Sequence, residues 1–86
     1  MQIIYTPKAR EDLNFWIKTG NKVILKKILQ LTESIIENPF VGIGKPEPLK
    51  YELAGLWSRR INQEHRYVYE ISANSLNIIS LKGHYD

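Results

Sequence analysis

His65-Arg66-Tyr67-Val68-Tyr69-Glu70-Ile71-Ser72 decides how this chain folds. β-Branched and aromatic residues crowd it, and its side chains alternate. Tyr67, Tyr69 and Ile71 fall on one side, with Arg66, Val68 and Glu70 on the other. This is the pattern of a strand with one face against a core and an arginine on the opposite face. Working outward, Asn62-Gln63-Glu64 and Ala73-Asn74-Ser75 have the composition of hairpin turns. They predict flanking strands near 56–62 and 76–83, and Gly55 separates a fourth candidate near 49–54. On the last strand, Ile79 and Leu81 are expected on the core face, leaving Ile78, Ser80, Lys82 and His84 opposite. Arg59 and Arg60 are neighbours on one strand and must face opposite ways. Arg60 is assigned to the Arg66 side, and Arg59 to a structural or rim role.

Residues 39–50 hold three prolines and two glycines and read as a structured loop. Before it the period changes from two to about 3.6. Thr6 is expected to cap a helix that Pro7 begins, with Ala9, Leu13, Trp16 and Ile17 on its apolar face. Gly20 suits its termination and Asn21 the cap of a second helix. In that helix Ile24, Ile28, Leu31 and Ile35 recur every three or four residues, until Asn38-Pro39 ends it. Residues 2–5 suit a short strand. The expected fold is α+β in one domain over residues 1–86: strand, two helices, then a four-strand antiparallel meander, with the helical hairpin on one sheet face. The other face, bearing Arg66 and His84, is expected to remain open. Eighty-six residues are too few for two self-supporting cores.

Composition removes several function classes. There is no cysteine, so disulfides and thiolate metal sites are excluded. The start Met1-Gln2-Ile3-Ile4-Tyr5 lacks the plan of a signal peptide, and no apolar run approaches the roughly 20 residues that span a bilayer. The expectation is a cytoplasmic protein without membrane contact. A net charge of +3 favours an anionic partner, and any basic patch must be built by folding, because the cations are dispersed. Gly42-Ile43-Gly44-Lys45 has Pro46 where a phosphate-binding loop needs Ser or Thr. Two histidines in no ligand-like spacing make a poor metal site, and no serine sits in a nucleophile elbow. General acid–base work on a phosphodiester remains. RNA carries its own nucleophile, the 2′-hydroxyl, so an enzyme needs a base, an acid and a guanidinium, each of which is present.

Four segments now align with something known. Lys45-Pro46-Glu47-Pro48-Leu49-Lys50, Trp57-Ser58-Arg59-Arg60-Ile61, His65-Arg66-Tyr67-Val68-Tyr69 and Gly83-His84-Tyr85 resemble, in that order, the YoeB (Txe) toxins of the RelE superfamily. The resemblance spans essentially the whole chain and implies a RelE-like fold. It further implies a bacterial toxin of a type II toxin–antitoxin pair: an endoribonuclease that cleaves messenger RNA in the ribosomal A site, needs no metal or other cofactor, and is neutralised by a YefM-type antitoxin. A homodimer is allowed. By the same resemblance Glu47 is the catalytic glutamate, Arg66 the phosphate-binding arginine and His84 the terminal histidine, with Lys50, Arg60 and Tyr85 at substrate-binding positions. Asp86 extends past the tyrosine where some members end.

Each residue also has a plainer reading. A loop carboxylate such as Glu47 is usually only solvated. A strand arginine such as Arg66 commonly pairs with a surface carboxylate, here Glu47 or Glu70. His84 lies where chains fray, yet histidine, with an ordinary pKa of about 6.5, is the natural proton donor to a 5′-oxygen. Tyr85 is read as stacking on a base or orienting the phosphate, with packing as the alternative. His65, on the Tyr67 side, is read as structural, and Trp16, Trp57, Tyr67 and Tyr69 as core. The lysines of the second helix are a solvated face first and a ribosomal RNA contact second. Two rival functions share the fold: a ParE-like gyrase binder, which would not carry the Glu, Arg and His-Tyr set, and an A-site occupant that blocks without cutting.

Overall fold

In the computed structural model, which describes residues 1–84, the order is β1 (Gln2–Tyr5), α1 (Pro7–Lys18), α2 (Lys22–Glu37), β2 (Glu47–Pro48), β3 (Trp57–Arg60), β4 (Arg66–Ser72) and β5 (Ser75–Ser80). The strands form one sheet in the order β1-β5-β4-β3-β2. The last four make the expected antiparallel meander, while β1 lies parallel to β5 at the edge. That parallel pairing needs a long connection, which here runs through both helices and strands β2 to β4.

Local sequence explains the helices. Thr6 Oγ1 accepts from the Ala9 N–H at 3.1 Å, and Asn21 Oδ1 accepts from Ile24 N–H at 3.1 Å. Between them Gly20 turns the chain at φ +66°. Ile24, Ile28, Leu31 and Ile35 are buried as their spacing predicts, packed with Tyr67, Tyr69, Leu76, Ile78 and Leu81. The face of α1 departs from expectation. Ile17 is 55% exposed, and Asp12 is buried at 6%. Asp12 is satisfied there, because Lys8 Nζ reaches both of its oxygens at 2.8 and 2.9 Å and Leu81 N–H donates to Oδ2 at 2.9 Å.

Two strand expectations need correction. Residues 49–54 are not a strand. Pairing with β3 is confined to Glu47 and Pro48 at the sheet edge, where a proline's missing N–H does least harm. One more bond, Leu49 N–H to Leu56 O at 2.9 Å, precedes a turn of 3₁₀ helix, Tyr51–Leu53, which Tyr51 enters at φ +58°. On β5 the core face carries Leu76 and Ile78, both fully buried, while Ile79 is half-buried. The cause is a β-bulge. Tyr69 opposes Ile78 and Val68 opposes Ser80, so Ile79 is an extra residue that reverses the alternation. Leu81 therefore still reaches the core, as expected.

The face away from the helices is not an open plane. Val68 and Ser80 on it are fully buried, and the segment 45–53 stands along its margin. The result is a cleft.

Candidate active site

Strand register assembles the cleft. β2 sets Glu47 opposite Ser58, and β3 and β4 set Arg60 directly opposite Arg66. Like charges directly opposed across a strand pair repel, so this placement works against the sheet. The segment 45–53 adds Lys45, Lys50 and Tyr51, and His84 enters from beyond β5. All of these line one cleft of about 330 Å³. Among the described residues lining it, four are lysine or arginine and Glu47 is the sole carboxylate. The dispersed cations of the sequence thus converge by folding.

Arg66 is held from behind. Its Nη1 donates to the carbonyls of Asn62 at 2.9 Å, Gln63 at 3.2 Å and His65 at 3.3 Å. Its Nη2 lies 2.9 Å from His84 Nε2. A guanidinium only donates, so Nε2 is the acceptor and a neutral His84 ring carries its proton on Nδ1. Arg66 does not pair with Glu70 or Glu47 in any ion pair within 4 Å among the described residues.

Arg59 and Arg60 separate as their alternation predicts. Arg60 is exposed at the cleft; Arg59 is fully buried on the other face. Its Nε donates to Tyr69 Oη, Nη1 to Ser34 Oγ and Ile43 O, and Nη2 to Asn38 O and Val41 O, at 2.7 to 3.3 Å. The loop that resembled a phosphate cradle is therefore folded around Arg59. Tyr69 Oη in turn donates to Pro39 O at 2.6 Å. Burial raises the Tyr67 and Tyr69 hydroxyls above the ordinary tyrosine range.

Of the six residues selected from sequence, Glu47, Lys50, Arg60, Arg66 and His84 line the cleft, and Tyr85 lies outside the described residues. Lys45, Tyr51 and Ser58 line it too and were not selected. Tyr51 is 87% exposed, and its φ, like the +52° of Lys45, is unusual for a non-glycine residue. Reading 49–54 as a strand concealed it. Among the described residues, no group of three or more histidines and carboxylates stands in a metal-holding arrangement.

Residues 5–85 match the family model for the YoeB-like toxin of bacterial type II toxin–antitoxin systems. The chain belongs to the YoeB-like toxin family. A curated YoeB toxin of Synechocystis is 49% identical over 85 residues, covering 99% of this chain and 98% of its own. Among solved structures, the YoeB/ParE toxin of Agrobacterium tumefaciens superposes with a TM-score of 0.94 at 41% identity, covering 99% of this chain and 100% of its own. The YoeB–YefM complex of Staphylococcus aureus gives 0.89 at 46% identity, covering 99% and 98%. A YoeB dimer from the same organism gives 0.90 at 45%, with the same coverage. The α+β fold expected from the sequence is thus that of the YoeB-like family.

Proposed function

We propose that this protein is a ribosome-dependent endoribonuclease that cleaves messenger RNA in the A site. Glu47 takes the 2′-hydroxyl proton, and the freed oxygen attacks the adjacent phosphorus. Arg66 binds the non-bridging oxygens, whose negative charge grows in the phosphorane. The bond from phosphorus to the 5′-oxygen then breaks as His84 hands that oxygen a proton. A 2′,3′-cyclic phosphate and a 5′-hydroxyl result, with no metal or other cofactor. Lys50 and Arg60 hold flanking phosphates, Tyr85 takes the substrate-binding role that the family resemblance implies, and the exposed Tyr51 ring offers a base a stacking surface.

What carries this reading is the convergence of Glu47, Arg66 and His84, from three separate stretches of chain, on one cationic cleft. The arrangement also orders the steps. While Arg66 donates to His84 Nε2, that nitrogen holds no proton to give. An arriving phosphate must draw the guanidinium to itself and favour the protonated imidazole.

The cleft is shallow and aligns a flexible strand poorly. Alignment is worth roughly 7–11 kcal/mol, and the ribosome supplies it by fixing the message. The same reading places the protein in the cytoplasm; among the described residues no helix is long and apolar enough to cross a membrane. Its partners are the ribosome with its mRNA, a second copy of the chain in a homodimer, and a YefM-type antitoxin that covers the cleft or displaces His84.

The test is mapping of RNA ends after purified protein is added to translating ribosomes. Glu47→Ala, Arg66→Ala and His84→Ala should each lower cleavage by about 10²–10⁴-fold. Naked RNA should be cut far more slowly than ribosome-bound message. Translation arrest without new RNA ends, or parental cleavage by all three variants, defeats the proposal.

A further inference from the structure

Residues 81–83 lie beyond the end of β5, in a region that ordinarily frays, yet five hydrogen bonds fasten them, the longest from Lys8 Nζ to Lys82 O at 3.5 Å. Asp12 Oδ2 accepts from Leu81 N–H at 2.9 Å, and Trp16 Nε1 donates to Leu81 O at 3.0 Å. His65 Nδ1 accepts from Gly83 N–H at 3.0 Å, and Arg66 N–H donates to Gly83 O at 2.9 Å. The next residue is His84, whose ring meets the Arg66 guanidinium. Two consecutive residues of β4 and its approach thus hold two consecutive residues of the tail.

We infer that His65 is the positioning residue for His84, acting through the Gly83 amide. The inference rests on the nuclease reading for the catalytic part of its consequence, and on the hydrogen bonds alone for the rest.

His65 is itself rigidly placed. Its N–H donates to Asn62 Oδ1 at 2.7 Å, and its ring sits edge-on to Trp16 with centroids 4.9 Å apart at 73°. The ring is mostly buried, its side chain 13% exposed. Because Nδ1 accepts, a neutral ring must carry its proton on Nε2, which lies on the side of Glu64 Oε2 at 3.8 Å. The opposite tautomer would set N–H against N–H at Gly83 and undo the latch. Gly83 itself turns at φ +100°, and a methyl group there would meet nothing within 4 Å. The glycine serves backbone direction, and the His65 bond fixes that direction just before the catalytic side chain. A fold-stabilising core residue would have no need of an acceptor aimed at the tail.

The experiment compares His65→Phe, which keeps a ring against Trp16 and loses the acceptor, with His65→Asn, whose amide oxygen can stand near the Nδ1 position. In the ribosome assay His65→Phe should lose kcat by on the order of 10²-fold, the cost of misplacing a reacting group by about 1 Å. KM should stay near the parental value, because the binding cations are untouched. His65→Asn should recover most of kcat. By NMR, the Gly83 amide should be protected from exchange in the parent and in His65→Asn but not in His65→Phe, while Tyr67 and Leu76 amides stay protected in all three. Long-range ¹H–¹⁵N spectra of the parent should show the Nε2–H tautomer at His65. Parental kcat in His65→Phe, Asn no better than Phe, or an Nδ1–H tautomer overturns the inference. A parent that does not cut RNA overturns the nuclease reading instead; the Gly83 exchange and His65 tautomer then still decide the latch.

Discussion

Arg59 is a full positive charge buried with no carboxylate within 4 Å among the described residues. Its five N–H groups meet five acceptors, two of them hydroxyls and three of them carbonyls of the 38–43 segment. Lysine has three donors and no fork. Arg59→Lys is therefore expected to cost about 3 kcal/mol or more, read as a lowered urea midpoint. Tyr67 is tested by pH. Its folded value is raised above the ordinary one of about 10 by burial, with only partial relief from the Thr32 hydroxyl. The unfolded chain thus releases the phenol proton first as pH rises. Stability is fully present below about pH 10 and is lost as pH climbs from there through the raised folded value. Tyr67→Phe should flatten that alkaline limb in melts recorded across pH 9–12. Alternation alone separated Arg59 from Arg60, because adjacent strand residues must face apart. Asp12 was illegible, since its burial depends on Leu81, 69 residues away.

Among elements, α2 was the most legible, because its four apolar positions need only a helix and a flat partner. The segment 39–50 was legible as a loop, but its purpose was not. It wraps Arg59, and Gly44 sits where a Cβ would fall 2.7 Å from Leu31 Cδ2 and 3.2 Å from Arg60 O, at φ +80°. Gly44→Ala is expected to destabilise by roughly 1–3 kcal/mol, from strain and contact together. It should also weaken catalysis, because Gly44 O accepts from Arg60 N–H at 2.7 Å and anchors the neighbouring cleft strand. A denaturation curve and a cleavage assay on one sample check both. The residues of the candidate site were picked out by the four-segment family resemblance, since chemistry alone left Glu47 a solvated loop carboxylate and Arg66 a surface ion-pair partner. Tyr51 was not, since its role comes from a turn with no strong sequence signature.

Across the whole molecule, charge is the quantity that folding rearranges. A net +3 is modest, yet Lys45, Lys50, Arg60 and Arg66 share one cleft. Each phosphate neutralised on a single strand contributes about −0.7 to the slope of log affinity against log salt. Four cations therefore bound the cleft's own contribution at about −3. Salt titration of RNA binding to the His84→Ala protein should give a slope of that order, and Lys50→Ala should make it shallower by about 0.7. A slope near zero would mean that the cleft does not take the phosphate chain. Sequence gave the net sign of this field, but its focus depends on the β3–β4 register, which pairs Arg60 with Arg66.

The extra residue at Ile79 has a genetic consequence. Loss of that one codon would leave a regular ladder that β4 can still pair, so the sheet would tolerate it. Every side chain downstream would keep its side, because Ile78 would still oppose Tyr69, Ser80 would still oppose Val68, and Leu81 would still point to the core. What such a deletion removes is the bend and added twist of the bulge, so it should re-aim the segment that carries His84 while sparing the core.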